Sequence, residues 1–335
     1  MNRSRWILRR IAFSVIALWA ILTVTFLFVA LSGDPGEAVV RYGVAQDMIG
    51  GTASSEEIEA EAERAVQAYR DARNLDDPIH HRYLNWMYSL ATFDLGTSYT
   101  HPTPVTTLLT DRLTITMAYV LPGMTLGIAG GTFVGTYAVV GRRRLVSRIA
   151  TLGSYTAFGI PNFWIAIVAI GVGLHTFHVA FMTGYDTSQG VTSMDNLYRL
   201  VLPSILIATA VMAEQARFVR SELKEHEHAA FVKQVRSTGV SEWRVSRHIL
   251  RVSLLPLLSL VFAKLLGVFV LNVFVIEFVF GIPGFGQLSY NAILNRNLPV
   301  IVGMTLVIAV IGVVGNLIQD VLWVAFDPRA TSKDA

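Results

Sequence analysis

The chain predicts an all-α polytopic membrane protein with six transmembrane helices, and three observations carry that prediction. Of its 335 residues 53% are hydrophobic and only 15% are charged, and those charges leave long gaps. Uncharged runs cover 11–33, 113–141, 149–185 and 297–319. An α-helix needs about 20 mostly apolar residues to cross roughly 30 Å of hydrocarbon, so each run is long enough. Two further spans carry isolated charges: 200 to about 220 holds Glu214, and 252 to about 279 holds Lys264 and Glu277. A barrel would show short alternating segments instead, so helical spans are preferred.

The first element opens with MNRSRWILRR before its apolar run. The run is too long for a secretory signal and no small-residue cleavage site follows before Gly33-Asp34-Pro35, so it is read as a retained first helix. Orientation follows from the basic residues. With a cytoplasmic N-terminus, the inner segments hold Arg3, Arg5, Arg9 and Arg10, then Arg142, Arg143, Arg144 and Arg148, then a polar island, then Arg329 and Lys333. The loop 32–112 carries 13 acidic residues against 6 arginines and no lysine. That asymmetry follows the positive-inside rule and places both termini in the cytoplasm. The pI near 9.2 then reflects a basic inner rim and does not argue for nucleic acid. There are no cysteines, which excludes disulfides, thiolate metal sites and thiol catalysis.

Three regions follow: 1–31 (tail and first span), 32–112 (extracytoplasmic loop) and 113–335 (core of the remaining spans, with a cytoplasmic loop at 221–251). Within the outer loop, Ser54 and Glu57 form a capping-box pattern ahead of Ile58, Ala62, Ala65, Val66 and Tyr69 on one helical face. Asp77 before Pro78 fits an N-cap and first helical position, followed by the stripe Ile79, Tyr83, Trp86, Met87 and Leu90. Two amphipathic helices over the outer ends of the spans are expected, either as a packed lid or as a surface that meets a partner or lines an entrance. A second outer segment, 281–299, opens with turn residues and reads as an interfacial hairpin or partial re-entrant turn.

Other signals point to structure. Gly127, Gly131 and Gly135 recur at every fourth position, a spacing that lets helices approach closely. Gly281, Gly284 and Gly286 follow a span, and no Gly-Lys-Ser/Thr occurs, so the chain binds no ATP through a Walker loop of its own. The pairs His175/His178, His80/His81 and His226/His228 lack a known metal-ligand spacing and read as interfacial or solvated. Lys264 can snorkel to the inner interface. Glu277 and Asp320 lie near span ends, where burial costs little, and Glu214 is expected to pair with Arg217 on one helix face.

The island 222–251 carries the strongest functional signal. A helix is expected to end at Gly239, suited to a left-handed C-cap, and Ser241 to cap the next, which stops short of Pro256. Phe231, Val235 and Trp243 would be costly to leave in water without a core or a partner. The expected result is a compact two-helix knob projecting from the membrane as a docking surface.

The run Phe231-Val232-Lys233-Gln234-Val235-Arg236-Ser237-Thr238-Gly239-Val240-Ser241-Glu242, followed by Arg247-His248, Leu250-Arg251 and Leu254-Leu255-Pro256, resembles the coupling-loop motif of ABC importer permeases, specifically the B-type subunit of the oligopeptide, dipeptide and nickel group. Gly33-Asp34-Pro35, Asp94-Leu95-Gly96-Thr97-Ser98, Pro161-Asn162-Phe163-Trp164, Leu202-Pro203, Phe280-Gly281-Ile282-Pro283-Gly284-Phe285-Gly286 and Asp327-Pro328-Arg329 look like the family's landmarks in the right order. The resemblance therefore covers nearly the whole chain. Gln234, Val235 and Ser237 depart from the small alanines usual before the motif glycine, and the outer loop is longer and more acidic than the family pattern.

The resemblance implies the type I importer permease fold and a non-catalytic pore subunit that binds no cofactor itself, ATP and Mg belonging to partner subunits. The partners it implies are a second homologous permease, two ATP-binding cassette subunits and an extracytoplasmic solute-binding protein, all at the cytoplasmic (inner) cell membrane. Di- or oligopeptides are the implied substrates, with nickel or another small solute as the alternative. The coupling-loop residues are Phe231, Arg236, Gly239, Ser241, Glu242, Arg244 and Pro256. Pro161, which cannot donate a helical hydrogen bond, is expected to kink the third span, and with Asn162 and Phe163 it marks the candidate translocation path. Two rivals fit less well. An intramembrane protease lacks Gly-x-Ser-x-Gly and His-Glu-x-x-His, and Tyr185-Asp186 has no Gly-x-Gly-Asp companion. A secondary transporter should show internal repeats with ionisable residues or broken helices at the midplane.

Overall fold

A computed structural model describes residues 3–48, 54–140, 153, 159–177 and 183–326. The described residues form helices and turns, with only an isolated antiparallel bridge between Thr97 and Pro104. In chain order the helices are α1 (Arg3–Ser32), α2 (Pro35–Met48), α3 (Ser55–Ala72), α4 (Ile79–Ala91), α5 (Val105–Val140), α6 (Asn162–Val172, continued by the π-turn Gly173–Phe177) and α7 (Met194–Glu225). Then come α8 (Ala230–Ser237), α9 (Glu242–Val252), α10 (Leu254–Gly267), the π-turn Val268–Asn272, α11 (Val273–Phe280), α12 (Phe285–Leu294) and α13 (Leu298–Phe326).

Among these, α1, α5, α7 and α13 are each long and apolar enough to cross a bilayer; α1, α5 and α13 cover three of the uncharged runs, and α7 covers the expected span with Glu214. The number would be up to six if each of two bent pairs were one span: α9 with the following helix turns by 68°, and α11 with α12 by 89°. The second bend falls where the sequence predicts a re-entrant turn. Arg142, Arg143, Arg144, Arg148, the start of the third span, His178 and the closing Asp327-Pro328-Arg329 with Lys333 lie outside the described residues.

The chain divides into two compact units. The first comprises Met1–Ser14, Arg112–Gln287 and Ile311–Ala335. Here α5 lies against α7, and its small residues explain how close. A Cβ added at Gly127 would stand 2.6 Å from the Val211 Cβ, and one at Gly131 2.6 Å from the Gln215 Cβ. The glycine repeat therefore serves helix contact, as expected. Glu214 of α7 pairs with Lys264 of α10, a partner that the sequence reading did not name. A partner on a facing helix gives the carboxylate an opposite charge inside the bundle. Asp320 meets Arg10 at 3.3 Å.

The second unit comprises Val15–Asp111 and Leu288–Val310. The stripe on α4 packs on α1: the Tyr83 hydroxyl lies 2.8 Å from Thr23 Oγ1, and the Phe26 ring stands 5.2 Å from Tyr83 and 5.5 Å from Trp86. Leu22, Leu90, Val302 and Leu306 close this core. On α3 the capping box is complete, with Glu57 N–H donating to Ser54 Oγ (3.3 Å) and Ser54 N–H to the Glu57 carboxylate (2.8 Å). Those bonds hold the Glu57 carboxyl below the usual range. Ala62 and Val66 of its stripe are buried.

Two expectations need correction here. The outer loop holds a third helix, α2, which lies against α3; its Gly36 leaves the space that the Tyr69 phenol fills. And Pro78, not Asp77, is the N-cap of α4, with no side-chain cap bond. The Asp77 N–H instead closes a turn on the Asn74 carbonyl (3.2 Å), whose residue has a φ of 52°.

The landmark residues of this unit have structural work. Asp34 accepts from the Tyr69 hydroxyl (2.9 Å), the Tyr99 hydroxyl (3.1 Å) and Gly36 N–H (2.8 Å). Burial, reinforced by the Asp34 charge, pushes the Tyr99 phenol up to about 12, so it remains a donor. Asn297 donates to Ser98 Oγ (2.7 Å) and Thr100 Oγ1 (3.1 Å) and accepts from Tyr99 N–H (3.2 Å), fixing the loop before α5.

Candidate functional site

The island is a folded knob built on the end of α7. After Glu225 the chain turns at 226–229, forms α8, turns again and returns as α9. Val219 and Leu223 of α7, Val232 of α8, Val245 and Ile249 of α9, and Leu257 of α10 form one buried cluster, with Phe231, Val235 and Leu250 packed around it. So α8 and α9 hold onto a membrane-crossing helix through a dry core. Phe231 and Val235 belong to that core. Trp243 is 45% exposed and stacks on the Phe133 ring of α5 at 5.8 Å.

The turn between α8 and α9 has two locks. Gly239 has a φ of 73°, the left-handed conformation the sequence predicts. Across the turn Arg236 grips Glu242 with both arms, Nε to Oε1 at 3.1 Å and Nη2 to Oε2 at 3.0 Å, while Nη1 donates to the Glu227 carbonyl at 3.2 Å. The hydrogen bonds from Arg236 to Glu242 keep its guanidinium still further above its ordinary range. A planar fork on a carboxylate fixes orientation as well as distance. The sequence singles out both residues; the geometry adds that they bind each other.

The remaining candidates divide. Ser241 occupies the N-cap of α9 in extended geometry but makes no side-chain cap bond; its carbonyl accepts from Arg244 N–H at 2.8 Å. Arg244 is exposed, as are Arg247, His248 and Arg251, one turn apart on the face of α9 opposite Val245 and Ile249. Pro256 lies in the first turn of α10. Pro161 is elsewhere: its backbone is extended, and α6 starts afresh at the next residue, with Trp164 N–H on the Pro161 carbonyl at 3.0 Å. The expected interruption is there, as a helix start. Asn162 and Phe163 supply backbone to its first turn, and their side chains lie outside the described residues.

Sequence reasoning missed a fully buried carboxyl group in this unit. Glu277 is 0% exposed, which corrects the expectation of a cheap position near a span end. Its Oε1 accepts from the Thr116 hydroxyl (2.5 Å) and the Tyr119 hydroxyl (3.0 Å), and its Oε2 from Gln287 N–H (2.9 Å). Thr116 Oγ1 in turn accepts from Phe285 N–H at 2.8 Å. The carboxyl group thus reaches over the turn at 281–284 and satisfies the first turn of α12. Gly281 makes that turn at a φ of 64°. At Gly284 a Cβ would stand 2.5 Å from the Glu277 carboxyl carbon and 2.6 Å from Thr116 Oγ1. Arg112 completes the corner by donating to the Pro283 carbonyl at 2.7 Å. The available signal was the glutamate itself, seven residues before Gly284 in an apolar run.

Neither constellation assembles a nucleophile with a base. Both brace membrane helices: one presents a knob, the other locks a turn. Comparison with known proteins agrees. Residues 127–332 match the family described as "Binding-protein-dependent transport system inner membrane component". The chain belongs to this family. As a binding-protein-dependent transport component it is a non-catalytic, multi-pass membrane subunit of all-α fold. Over 97% of its length it is 31% identical to the oligopeptide transport system permease protein AppB of Bacillus subtilis, 99% of which is covered. It is also 28% identical, over 97% of its length, to the dipeptide transport system permease protein DppB of Lactococcus lactis subsp. cremoris, 98% of which is covered.

Proposed function

We propose that this transport component is a pore-forming permease of an ATP-driven peptide importer in the cytoplasmic membrane. It pairs there with a second, similar permease, receives di- or oligopeptides from an extracytoplasmic binding protein, and is driven by two ATP-binding cassette subunits that carry the ATP and Mg. The observation that carries this reading is the α8–α9 knob. Its core is continuous with α7 and α10, so a push on the knob reaches the membrane helices rather than a slack loop. Peptides as substrate rest on the oligopeptide and dipeptide systems named for relatives that cover almost the whole chain.

Co-expression with candidate ATPase subunits tests the reading. The tagged permease is expected to bring them through purification in fixed ratio and, with the binding protein, to import peptide only when ATP is hydrolysed. Uptake without ATPase subunits would refute it.

The distribution of basic residues supports a topology with both termini and the knob in the cytoplasm and α2, α3 and α4 outside. Because the chain has no cysteine, Ala60→Cys on α3 gives one unambiguous label site. It should react with an impermeant maleimide added outside intact cells; labelling only after the cytoplasm is opened would refute the topology. For the path, Asn162→Cys is expected to react with a water-soluble thiol reagent in at least one transport state, since backbone freed by Pro161 is tolerated where it faces protein or water. A thiol that meets only lipid-phase reagents in every state would remove this segment from the path.

A further inference from the structure

Residues from two landmark segments of the outer unit, Gly33 and Asp34 from one and Asp94, Leu95 and Gly96 from the other, line one cleft of about 510 Å³. Its charged lining is balanced: the carboxylates of Asp34, Glu37 and Asp94 and the guanidinium groups of Arg70, Arg73 and Arg82. One pair is neutralised internally, since Arg70 meets Glu37 at 3.2 Å and also Asp76 at 2.6 Å. The other four make no ion pair among the described residues. Arg73 lies over the Tyr69 and Tyr99 rings at 4.2 and 5.3 Å, and Asp34 is held by the hydroxyls of the same two tyrosines. The remaining lining is mixed, with Asn74, Asn85 and Ser89 beside the apolar Phe26, Trp86, Leu95 and Val302. Arg73 and Asp34 are bridged by the two tyrosine hydroxyls and form no direct ion pair; unlike charges that share a cleft in this way, beside apolar side chains, suit a ligand that brings both charges and an apolar body.

We infer that this cleft binds short peptides with free termini, the ammonium group meeting Asp34 or Asp94 and the carboxylate meeting Arg73 or Arg82. The inference rests on the peptide reading above and adds a contact site on the permease itself, in its outer unit. The cleft volume lies within the range of small-molecule sites. Rigid tyrosines behind Asp34 and Arg73 keep both charges in place before the ligand arrives.

The test uses the full chain in phosphatidylcholine nanodiscs without partner subunits. The probes are trialanine and its N-acetyl, C-amide analogue, read by tryptophan fluorescence with Trp86→Phe to assign the signal. Trialanine should bind saturably and the capped analogue at least about tenfold more weakly. Arg82→Gln, outside the tyrosine cluster, should weaken trialanine about fivefold or more and leave the capped analogue unchanged. Equal binding of both probes, insensitivity to Arg82→Gln, or no saturable signal would overturn the inference. The two readings fail separately. Peptide uptake by the complete complex alongside no trialanine binding sinks only the cleft, whereas a complex that imports another solute class and no peptide sinks the substrate reading.

Discussion

Replacing Glu277 by alanine is expected to give the largest loss of stability of any single substitution considered. The change leaves the Tyr119 hydroxyl and the Gln287 N–H without their acceptor beside a residue of 0% exposure, while the Thr116 hydroxyl keeps only the Arg112 carbonyl at 3.1 Å. Each buried donor left unmet costs about 1–3 kcal/mol, so the sum is on the order of 3–5 kcal/mol after partial relaxation. That is comparable to a large share of the stability of an ordinary domain. Glu277→Gln should fall between parent and alanine. It keeps an acceptor for the two hydroxyls but turns an amide donor toward the Gln287 N–H, a clash of like groups. Gly284→Ala approaches the same corner from the other side, because its methyl group would overlap the carboxyl group and Thr116 Oγ1, both of which are fixed by hydrogen bonds. Fluorescence-detected size-exclusion after a temperature ramp would rank the four proteins. An alanine variant that melts with the parent would show that the carboxyl group is not what holds this turn.

The Glu277 corner also shows what a sequence hides. Signals that act within a few residues were readable: the capping box at Ser54 and Glu57, the αL glycine at 239, the glycine repeat of α5 and the apolar lengths of four spans all appear as expected. Each depends on local backbone geometry or on helical periodicity, which spacing encodes directly. Partnerships across long chain separations were not readable. Thr116 and Glu277 are 161 positions apart, and Glu214 was assigned a partner from its own helix while the one on α10 went unforeseen. Helix α2 was missed because its face against α3 is made by Gly36 and an aromatic side chain from the partner helix, which leaves little apolar period of its own. In the knob, the residues were legible and their arrangement was not. Arg236 and Glu242 were read as two separate groups flanking a turn, whereas the turn brings them into a two-armed bond.

That bond changes how the knob should be tested. Gly239→Val places a β-branched residue at a φ of 73°, a conformation that costs a residue with a Cβ about 1–2 kcal/mol and β-branched residues more. The space around Gly239 is open, so the penalty is conformational and not steric crowding by neighbours. Relief comes by turning α9 away from α8. Glu242→Arg removes the acid and sets two guanidinium groups against each other across the same turn. With the pair partly exposed, at 37% and 50%, the stability lost is small, on the order of 1 kcal/mol or less. Both proteins should therefore insert and accumulate normally, while the surface offered to the ATPase subunits is misdirected or reversed in charge. Co-purification of ATPase subunits should drop about tenfold, or ATP hydrolysis should continue without peptide uptake. The exchanged pair Arg236→Glu with Glu242→Arg separates the two roles of these residues. It restores a bond across the turn but leaves the outer charges reversed, so recovery of coupling would mean that the pair only shapes the knob, and persistent loss that the partner reads the charges themselves. If Gly239→Val and Glu242→Arg both import peptide at the parental rate with parental ATPase content, the knob is a solvated loop and the proposed coupling role is wrong.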